Sequence, residues 1–383
     1  MWLSVADVCV VGGGQSALAV GYHLRRLERD RSRRGLAPLS VVLLDDRSRP
    51  GGAWLDGWPS LRLFSPAGFS SLPGRLMPRP GAAAGDGAGL EPMPDAAHVV
   101  DYLTDYESRY DLDVRRPVHV RAVRRHGEGL LVETDGESVE ARAVVSATGT
   151  WSRPFWPSVA GAGEYAGTQL HTHGYRGPEP FAGQVVLVVG GGNSGAQIAA
   201  DLAGTAARVH WVTREPPRFL PDDVDGRVLF ETATRAVRDR AEGRESAGVA
   251  SLGDIVAVPS VRAARDRGDL VAEPMVERLT ADGVRWPDGR TARVDAVVWA
   301  TGFRPALEHL APLGLRRHRG HPVTEAPDGS WNAVRAADGV PLWLVGYGDW
   351  CGPASATLLG VGRAARDTAA DVVAHLDPHL DPS

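Results

Sequence analysis

The 383-residue sequence contains no lysine, because all 42 of its basic residues are arginine. This absence excludes Schiff-base catalysis, which needs a lysine amine, and it excludes the lysine-containing phosphate loop of nucleoside triphosphatases. Cysteine occurs only twice, at Cys9 and Cys351, which excludes a disulfide framework, a CxxC redox centre and a multi-cysteine zinc site. Cys9 lies within an apolar run and is predicted to be a small core residue.

Charge and hydropathy exclude further classes of protein. The net charge is −5 and there is no long basic block, so a nucleic-acid partner is not expected. No apolar run approaches the ~20 residues of a membrane span, and the first residues lack the basic region and cleavage site of a signal peptide. We therefore expect a cytoplasmic protein without a membrane segment, and the chain length favours two domains.

The most informative feature is an internal repeat. Residues 135–149 (DGESVEARAVVSATG) align without a gap with residues 288–302 (DGRTARVDAVVWATG). Each copy belongs to a longer unit that reads as strand, glycine turn, helix, strand, β-meander and Ala-Thr-Gly. The sequence therefore predicts an α/β protein with two Rossmann-like domains, each a doubly wound parallel sheet with a β-meander.

The first glycine turn, residues 12–17 (GGGQSA), stands between a strand and a helix. Gly12 permits a tight turn, Gly14 permits close approach of a pyrophosphate, and Ala17 permits packing of the helix on the sheet. The pyrophosphate would lie at the positive end of the helix. Asp45 ends the next strand, where it could accept both ribose hydroxyls, and Asp46 is the alternative. A glycine turn with nothing bound is the competing interpretation.

The second glycine turn, residues 190–195 (GGGNSG), is a complete GxGxxG. The strand after it ends in Thr213-Arg214 instead of an acidic residue. A carboxylate repels a 2′-phosphate, whereas a guanidinium binds it through several donors. The second turn therefore favours NADPH over NADH, unless Arg214 is only a solvated charge at the strand end.

Two dinucleotide sites with different ribose contacts indicate two different dinucleotides, and FAD with NADPH is the most economical pair. Each Ala-Thr-Gly is expected where the chain leaves a buried strand beside a cofactor and needs small residues. Gly149 and Gly302 are predicted to lie near the two crossings between the domains.

Several motifs resemble those of the flavin-containing (class B) monooxygenases. Residues 165–175 (YAGTQLHTHGY) match the family pattern FxGxxxHxxx(F/Y), with Tyr165 in place of the leading Phe. The family's GGxW is found at residues 51–54, and its second linker as ATGFRP at 300–305. Gly348-Asp349 and residues 353–357 (PASAT) resemble the segment that holds the flavin ribityl chain. Within the family, the sequence is most similar to short bacterial members, some of which are associated with arsenic resistance.

The turns and the resemblance together give the expected site residues. The FAD contacts are Gly12, Gly14, Gln15, Ser16, Ala17, Asp45, Gly52, Trp54, Val120, Thr148, Gly149, Asp349, Ala354 and Ser355. The NADPH contacts are Gly190, Gly192, Asn193, Ser194, Gly195, Thr213, Arg214, Thr301 and Gly302. His171 and Tyr175 belong to the identifying pattern, and His171 is predicted to hold the linker rather than to act as a base. No metal site is expected at His171 and His173, because no cysteine or carboxylate cluster accompanies them.

The expected FAD domain comprises residues 1–155 and 300–383, and the expected NADPH domain comprises residues 156–299. Residues 222–268 are a candidate lid that sets substrate choice, and the Gly/Ala/Pro-rich residues 80–94 are predicted to form a surface loop. The resemblance implies an FAD-dependent NADPH monooxygenase. In such an enzyme a flavin oxygen adduct attacks a small substrate at nitrogen, sulfur or arsenic, or less favourably a ketone.

The sequence also departs from the family. Many members carry an asparagine near the reactive flavin carbon, where this sequence has Phe64-Ser65-Pro66. This favours an alternative, an NADPH-dependent reductase that passes electrons to a quinone or a protein partner without oxygenation. A non-catalytic redox sensor that binds both cofactors is a second alternative. The pattern continues with Tyr175-Arg176, where Baeyer–Villiger members carry Trp-Pro or Trp-Asp, which favours heteroatom oxidation. A small-molecule substrate and dioxygen are the expected partners, and the oligomeric state is open, a homodimer being one option.

Overall fold

The computed structural model describes residues 3–81, 92–222, 255–326, 334–352 and 354–377. The described α-helices are α1 (Gln15–Arg33), α2 (Ala96–Tyr110), α3 (Asn193–Leu202), α4 (Pro259–Asp266) and α5 (Val361–Leu376). The described strands are β1 (Leu3–Val11), β2 (Val41–Leu44), β3 (Val114–Arg115), β4 (Val120–His126), β5 (Gly129–Thr134), β6 (Ser138–Ser146), β7 (Thr168–His171), β8 (Val185–Val189), β9 (Arg208–Thr213), β10 (Ala272–Pro274), β11 (Arg278–Thr280), β12 (Gly283–Arg285), β13 (Thr291–Arg293), β14 (Ala296–Trp299), β15 (Arg317–His318), β16 (His321–Pro322), β17 (Thr324–Glu325), β18 (Arg335–Ala336) and β19 (Leu342–Leu344).

Nine strands form the first sheet. Its order is β17-β18-β19-β6-β1-β2-β3, and β5 and β4 continue from β6 as an antiparallel meander. β1 runs parallel to both β2 and β6, and β19 runs parallel to β6 with Leu342 opposite Val144. α5 packs on α1 through a shared core that includes the fully buried Leu24, Val361 and Ala369. The strand and helix near the end of the chain therefore complete the sheet that its beginning starts.

Five strands, all parallel, form the second sheet in the order β10-β9-β8-β14-β7. α3 and α4 contribute Ile198 and Val261 to the core on one face of this sheet. β11, β12 and β13 form a separate antiparallel sheet. The predicted doubly wound α/β class with β-meanders is confirmed.

The two copies of the repeat differ at one point. In the first copy, β6 is one continuous strand of nine residues that both ends the meander and enters the parallel sheet. In the second copy, the chain is divided between β13 and β14. Asp295 lies at this break, and its carboxylate accepts the N–H of Val185 at 2.9 Å. The side chain therefore takes the place of a strand partner at the start of β8.

The candidate lid, residues 222–268, is described only in part, because residues 223–254 lie outside the described ranges. The N–H of Leu220 donates to the carbonyl oxygen of Ile255 at 2.9 Å, so Leu220 and Ile255 lie side by side. Within the candidate lid, α4 buries Val261 and Ala264 against α3. The described end of the candidate lid thus contributes Ile255, Val258 and Val261 to a packed core, which the lid prediction did not anticipate. The predicted surface loop falls largely on residues 82–91, which also lie outside the described ranges.

None of the helices within the described ranges has the length and hydropathy that crossing a membrane requires.

Candidate functional site

The two glycine turns are built by the same hydrogen bonds. The N–H of Gly12 donates to the carbonyl oxygen of Leu44 at 2.7 Å, and the N–H of Gly190 donates to that of Val212 at 3.0 Å. On the other side, the Ala147 N–H donates to the Val11 oxygen and the Ala300 N–H donates to the Val189 oxygen, both at 2.8 Å. Each turn therefore lies between the end of the following strand and the Ala-Thr-Gly that ends the repeat.

Each glycine turn must begin with glycine because the alanine of an Ala-Thr-Gly packs directly against that position. Gly12 has a φ of +123° and Gly190 a φ of +138°, which L side chains rarely adopt. A Cβ atom on Gly12 would also lie 2.5 Å from the Ala147 carbonyl oxygen, and one on Gly190 would lie 2.2 Å from the Ala300 oxygen. The repeated Ala-Thr-Gly is thus the packing partner of the repeated glycine.

The third glycine of each turn leaves open space in front of a helix N-terminus. A Cβ on Gly192 would meet nothing within 4 Å, and one on Gly14 would meet only the Cα of Gly52, at 3.9 Å. The N-cap residues of α1 and α3 are Gly14 and Gly192, so no N-cap side chain covers either helix end. Open space before two helix N-termini fits a pyrophosphate at both turns.

Asp45 lies against the first glycine turn, as the sequence predicts. Its carboxylate is buried, and a Cβ on Gly13 would lie 2.3 Å from its Oδ2 atom. Arg116 donates to this Oδ2 at 2.7 Å, and Glu107 holds Arg116 through two further bonds at 2.6 and 2.7 Å. Asp46, the alternative, is exposed. The Asp45 carboxylate is therefore fixed beside the turn and keeps lone pairs for a ribose.

The second turn ends in a different environment. Thr213 is buried and its Cγ2 lies 3.3 Å from the position of a Cβ on Gly191. Arg214 is exposed, and no ion pair to it occurs within the described ranges. An exposed guanidinium at this position could bind a 2′-phosphate. At the start of α3, the Oδ1 atom of Asn193 accepts the Val256 N–H at 2.9 Å, whereas Ser194 is half-buried and Gly195 is buried.

Three separate segments converge on the start of α1. Trp54 Nε1 donates to Gln15 Oε1 at 3.0 Å, and Gln15 Nε2 donates to the Ala356 carbonyl oxygen at 2.9 Å. Ser16 Oγ lies 2.1 Å from the position of a Cβ on Gly346. Most of the predicted FAD residues thus come together around one helix end, although they are far apart in sequence.

Of the other predicted FAD residues, some lie beside the start of α1 and some lie in other elements. Gly52 packs against Gly14, since a Cβ on Gly52 would lie 2.8 Å from the Gly14 Cα atom. Ser355 is buried and its hydroxyl donates to the Gly348 oxygen at 2.8 Å, and Ala354 has a φ of +56°. Val120 begins β4 in the meander and is half-buried. Asp349 begins a short 3-10 helix, Asp349–Cys351.

Thr148 uses its polar groups within the protein. Its N–H donates to the Tyr347 hydroxyl at 3.1 Å and its hydroxyl donates to the Ala306 carbonyl oxygen at 2.6 Å. Neither donor is left for a cofactor, whereas Gly149 has a φ of +67° and open space beside it. The sequence did not predict Tyr347, because a tyrosine at the end of an apolar strand carries no motif.

The two connections between the sheets pair with each other. The N–H of Phe155 donates to the Gly302 oxygen and the N–H of Ala306 donates to the Gly149 oxygen, both at 2.9 Å. The Thr301 hydroxyl donates to the Phe155 oxygen at 2.5 Å. Gly149 and Gly302 therefore lie at the crossings, where the sequence predicts them.

His171 and Tyr175 are buried where the two sheets meet. The Nδ1 atom of His171 accepts the His173 N–H at 3.2 Å, and its ring contacts the edge of Phe303 at 4.9 Å between centroids. Burial lowers the pKa of His171 to about 4, so the ring is neutral at neutral pH. The Tyr175 hydroxyl donates to Asp201 at 2.7 Å and its ring packs on Trp58. These contacts favour structural roles for both residues.

Two further features bear on the chemistry. Cys9 and Cys351 are both buried and form no disulfide, and burial raises the pKa of Cys9 to about 12. Within the described ranges, no group of three or more histidine, cysteine, aspartate or glutamate side chains could hold a metal ion.

Comparison with known proteins gives similarities along the whole chain. A sequence model of the pyridine nucleotide-disulphide oxidoreductase family matches residues 88–235. Two solved structures of a flavin-containing monooxygenase from Stenotrophomonas maltophilia, one of them a double mutant, are 45% and 46% identical. Each covers 97% of this chain and 99% of its own, with a TM-score of 0.82.

Two curated relatives are similar at lower identity. The "Uncharacterized oxidoreductase CzcO-like" of Geobacillus kaustophilus (strain HTA426) is 28% identical over 373 residues, which cover 97% of this chain and 99% of the relative. The "Probable indole-3-pyruvate monooxygenase YUCCA8" of Arabidopsis thaliana is 27% identical over 382 residues, covering 88% and 83%. The matched family and the two flavin-containing monooxygenase structures imply FAD and NADPH as the cofactors.

Proposed function

Because the chain belongs to the flavin-containing monooxygenases, we propose that it is an NADPH-dependent FAD monooxygenase acting on a small nucleophilic substrate. The oxygenated centre is nitrogen, sulfur or arsenic, with a ketone as the less favoured substrate. The observation that carries this proposal is the pair of glycine turns. They share one backbone arrangement but differ at the ribose end, with a buried carboxylate (Asp45) at one and an exposed guanidinium (Arg214) at the other.

The residues at the first turn fit FAD. The N–H groups at the start of α1 would bind the pyrophosphate, and Asp45 would accept the ribose hydroxyls. Gln15 and Trp54 connect this helix end to the segment after Gly348, which would border the rest of the cofactor. Bound there, FAD would supply the redox chemistry that links NADPH to dioxygen. The protein positions both nucleotides and excludes water from the space between them.

The residues at the second turn fit NADPH. The N-terminus of α3 would bind its pyrophosphate, and Arg214 would bind the 2′-phosphate that distinguishes NADPH from NADH. The sheets support a division into an FAD domain, residues 1–155 and 300–383, and an NADPH domain, residues 156–299. Among the described residues, all strands of the first sheet come from the former ranges and all strands of the second sheet come from the latter.

The preference for a heteroatom rests on the end of the identifying pattern. Tyr175-Arg176 stands where Baeyer–Villiger members carry Trp-Pro or Trp-Asp. Tyr175 is buried against Trp58, and Arg176 donates to the Asp56 and His173 carbonyl oxygens. Both residues at the end of the pattern therefore make contacts within the protein.

One observation favours a second candidate, a reductase that transfers electrons to a quinone or a protein partner. Asparagine occurs only at positions 193 and 332 of the sequence. The loop around Phe64 therefore has no asparagine of its own, unlike the corresponding loop of many family members. Asn193 belongs to the second glycine turn, where its Oδ1 atom accepts the Val256 N–H. A reductase would not need such a group near the flavin.

Isotope labelling with balanced stoichiometry separates the candidates. Oxygenation consumes one NADPH, one proton, one dioxygen and one substrate, and it yields NADP⁺, water and the oxygenated product. We expect ¹⁸O from ¹⁸O₂ in the product, at one atom per NADPH, for at least one member of a panel of amines, sulfides, ketones and trivalent arsenicals. NADPH oxidation that needs an added quinone, with no label in any organic or arsenic product, supports the reductase instead. No steady NADPH oxidation under any condition contradicts both candidates.

A further inference from the structure

A chain of buried side chains connects the first Ala-Thr-Gly to two distant segments. The Tyr347 hydroxyl lies 2.6 Å from Ser146 Oγ and 2.7 Å from Thr148 Oγ1, and it accepts the Thr148 N–H at 3.1 Å. Ser146 Oγ also lies 3.0 Å from Nε2 of His309. Ser146, Tyr347 and His309 are all buried, and Thr148 is half-buried. The chain of side chains thus joins the end of β6, the residues after β19 and the short 3-10 helix Glu308–Leu313 that follows the second linker.

The positions of the hydroxyl protons follow from counting donors. The carbonyl oxygen of Ala306 can only accept, so Thr148 gives it the single hydroxyl proton. Tyr347 must then donate to Thr148 Oγ1, and Ser146 must donate to Tyr347, because each hydroxyl has one proton. His309 must finally carry its proton on Nε2 and donate to Ser146. If Tyr347 donated to Ser146 instead, its contact with Thr148 Oγ1 would have no proton.

The protonation states agree with this order. Burial lowers the pKa of His309 to about 4, so the ring is neutral and carries one N–H at neutral pH. Burial raises the pKa of Tyr347 to about 12, so the phenol keeps its proton. The donors therefore run in one direction, from His309 through Ser146, Tyr347 and Thr148 to Ala306.

Tyr347 is the centre of this chain because its hydroxyl makes three of the contacts. Two of them hold Thr148, through its N–H and its hydroxyl, and these fix the backbone that leads into Gly149. Gly149 has a φ of +67° and open space beside it, so it is the part of the turn that can face a ligand. Buried polar chains of this kind hold one geometry when every member has a partner.

We propose that Tyr347 is a positioning residue, whose hydroxyl holds the Thr148–Gly149 turn in the one conformation that borders the flavin. This inference rests on the proposed function, since it takes the group beside Gly149 to be FAD. Tyr347 acts through Thr148 and does not itself need to touch the cofactor.

The test compares Tyr347→Phe with Tyr165→Phe in the FAD-loaded protein. Tyr165 is a matched control, because it is also buried and its hydroxyl donates a single bond, to the Val294 oxygen at 2.8 Å beside the second sheet. We expect Tyr347→Phe to shift the visible absorption maxima of the bound flavin and to raise the FAD dissociation constant at least about tenfold, or about 1.4 kcal/mol. Tyr165→Phe should change neither quantity, even if both variants lose thermal stability.

A second variant covers the case in which Tyr347→Phe does not fold. Ser146→Ala removes the donor that faces Tyr347 without adding volume, and it should shift the flavin spectrum in the same direction by a smaller amount. An unchanged spectrum and an unchanged FAD dissociation constant in the folded variants overturn the positioning role. If the unmodified protein binds no flavin at all, the proposed function fails first, so the two failures are distinguishable.

Discussion

The carbonyl oxygen of Ala147 lies 2.5 Å from the point where a Cβ atom on Gly12 would stand, and Ala300 faces Gly190 in the same way at 2.2 Å. Side chains essentially never approach a backbone oxygen so closely, so any residue but glycine must displace the Ala-Thr-Gly strand end. The same close approach occurs at two separate turns. A substitution at one turn should therefore weaken the binding of one nucleotide and leave the binding of the other unchanged.

The two turns can therefore be tested against each other. We expect Gly12→Ala to lower the FAD content of the purified protein at least about tenfold, because the strain falls where the pyrophosphate would bind. Gly190→Ala should keep its FAD but raise the NADPH dissociation constant by a similar factor. Flavin absorbance and NADPH titration measure the two effects.

Gly204→Ala is the control for this pair, because a Cβ there meets nothing within 4 Å and its φ is not in the left-handed region. It should leave both nucleotides bound. If Gly12→Ala and Gly190→Ala weaken both nucleotides equally, the two turns do not act as separate sites.

Arg214 should determine the choice between NADPH and NADH. Arg214→Gln removes a guanidinium from the end of β9, and we expect the NADPH dissociation constant to rise about tenfold to a hundredfold, as loss of a charge-assisted hydrogen bond allows. The NADH dissociation constant should change little, because NADH has no 2′-phosphate. Arg208, exposed at the opposite end of the same strand, supplies the control Arg208→Gln. An equal rise of the NADPH and NADH dissociation constants would show that Arg214 does not bind the 2′-phosphate.

The sequence predicted the parts of the site that depend on local pattern. The glycine turns, the helices that begin at Gln15 and Asn193, and the position of Asp45 all follow from a few consecutive residues. The sequence favours Asp45 over Asp46 because Asp45 ends the strand, and in the structure Asp45 is buried and Asp46 is exposed.

The contacts that sequence reasoning missed join residues far apart in the chain. Tyr347 meets Ser146 across 201 positions, and Gln197 meets Arg62 across 135 positions. Neither residue type carries a signal by itself, since a buried tyrosine or glutamine needs only some partner. Only the fold determines which partner it has. The contact at the break in the second repeat is of the same kind, because Asp295 acts through Val185 of another strand.

Gln197 should couple the second glycine turn to the loop that contains Phe64. Its side chain on α3 accepts the Arg62 N–H at 3.0 Å and donates to the Arg62 oxygen at 3.1 Å. We expect Gln197→Leu to lower the free energy of unfolding by about 1–2 kcal/mol, because it leaves two partly buried backbone groups of Arg62 without these partners. We also expect a change in the NADPH dissociation constant, since α3 begins at the second turn.

Gln184→Leu is the control for Gln197→Leu, because the Gln184 side chain makes one exposed bond, to the Pro180 oxygen. Urea unfolding and NADPH titration of both variants measure the outcome. A Gln197→Leu protein as stable as the control would mean that Arg62 finds other partners.

Stability should fall as the pH is lowered from about 6.5 towards 4. Burial lowers the pKa values of His23, His171 and His309 to about 4, below the 6.5 of an unfolded histidine. The unfolded chain therefore binds more protons in this window, and the free energy of unfolding decreases as each unfolded histidine becomes charged. For His309, which is 6% exposed, the slope approaches at most about 1.4 kcal/mol per pH unit.

His309→Gln separates this histidine from the others. A glutamine amide can still donate to Ser146 in place of Nε2 but does not titrate, so the variant should lose less stability between pH 6.5 and 4 than the unmodified protein. His318→Gln, at an exposed position, should leave the pH dependence unchanged. Urea unfolding at pH 7, 6 and 5 gives the three slopes. Equal slopes for His309→Gln and the unmodified protein would mean that His309 protonates as readily in the folded state as in the unfolded chain.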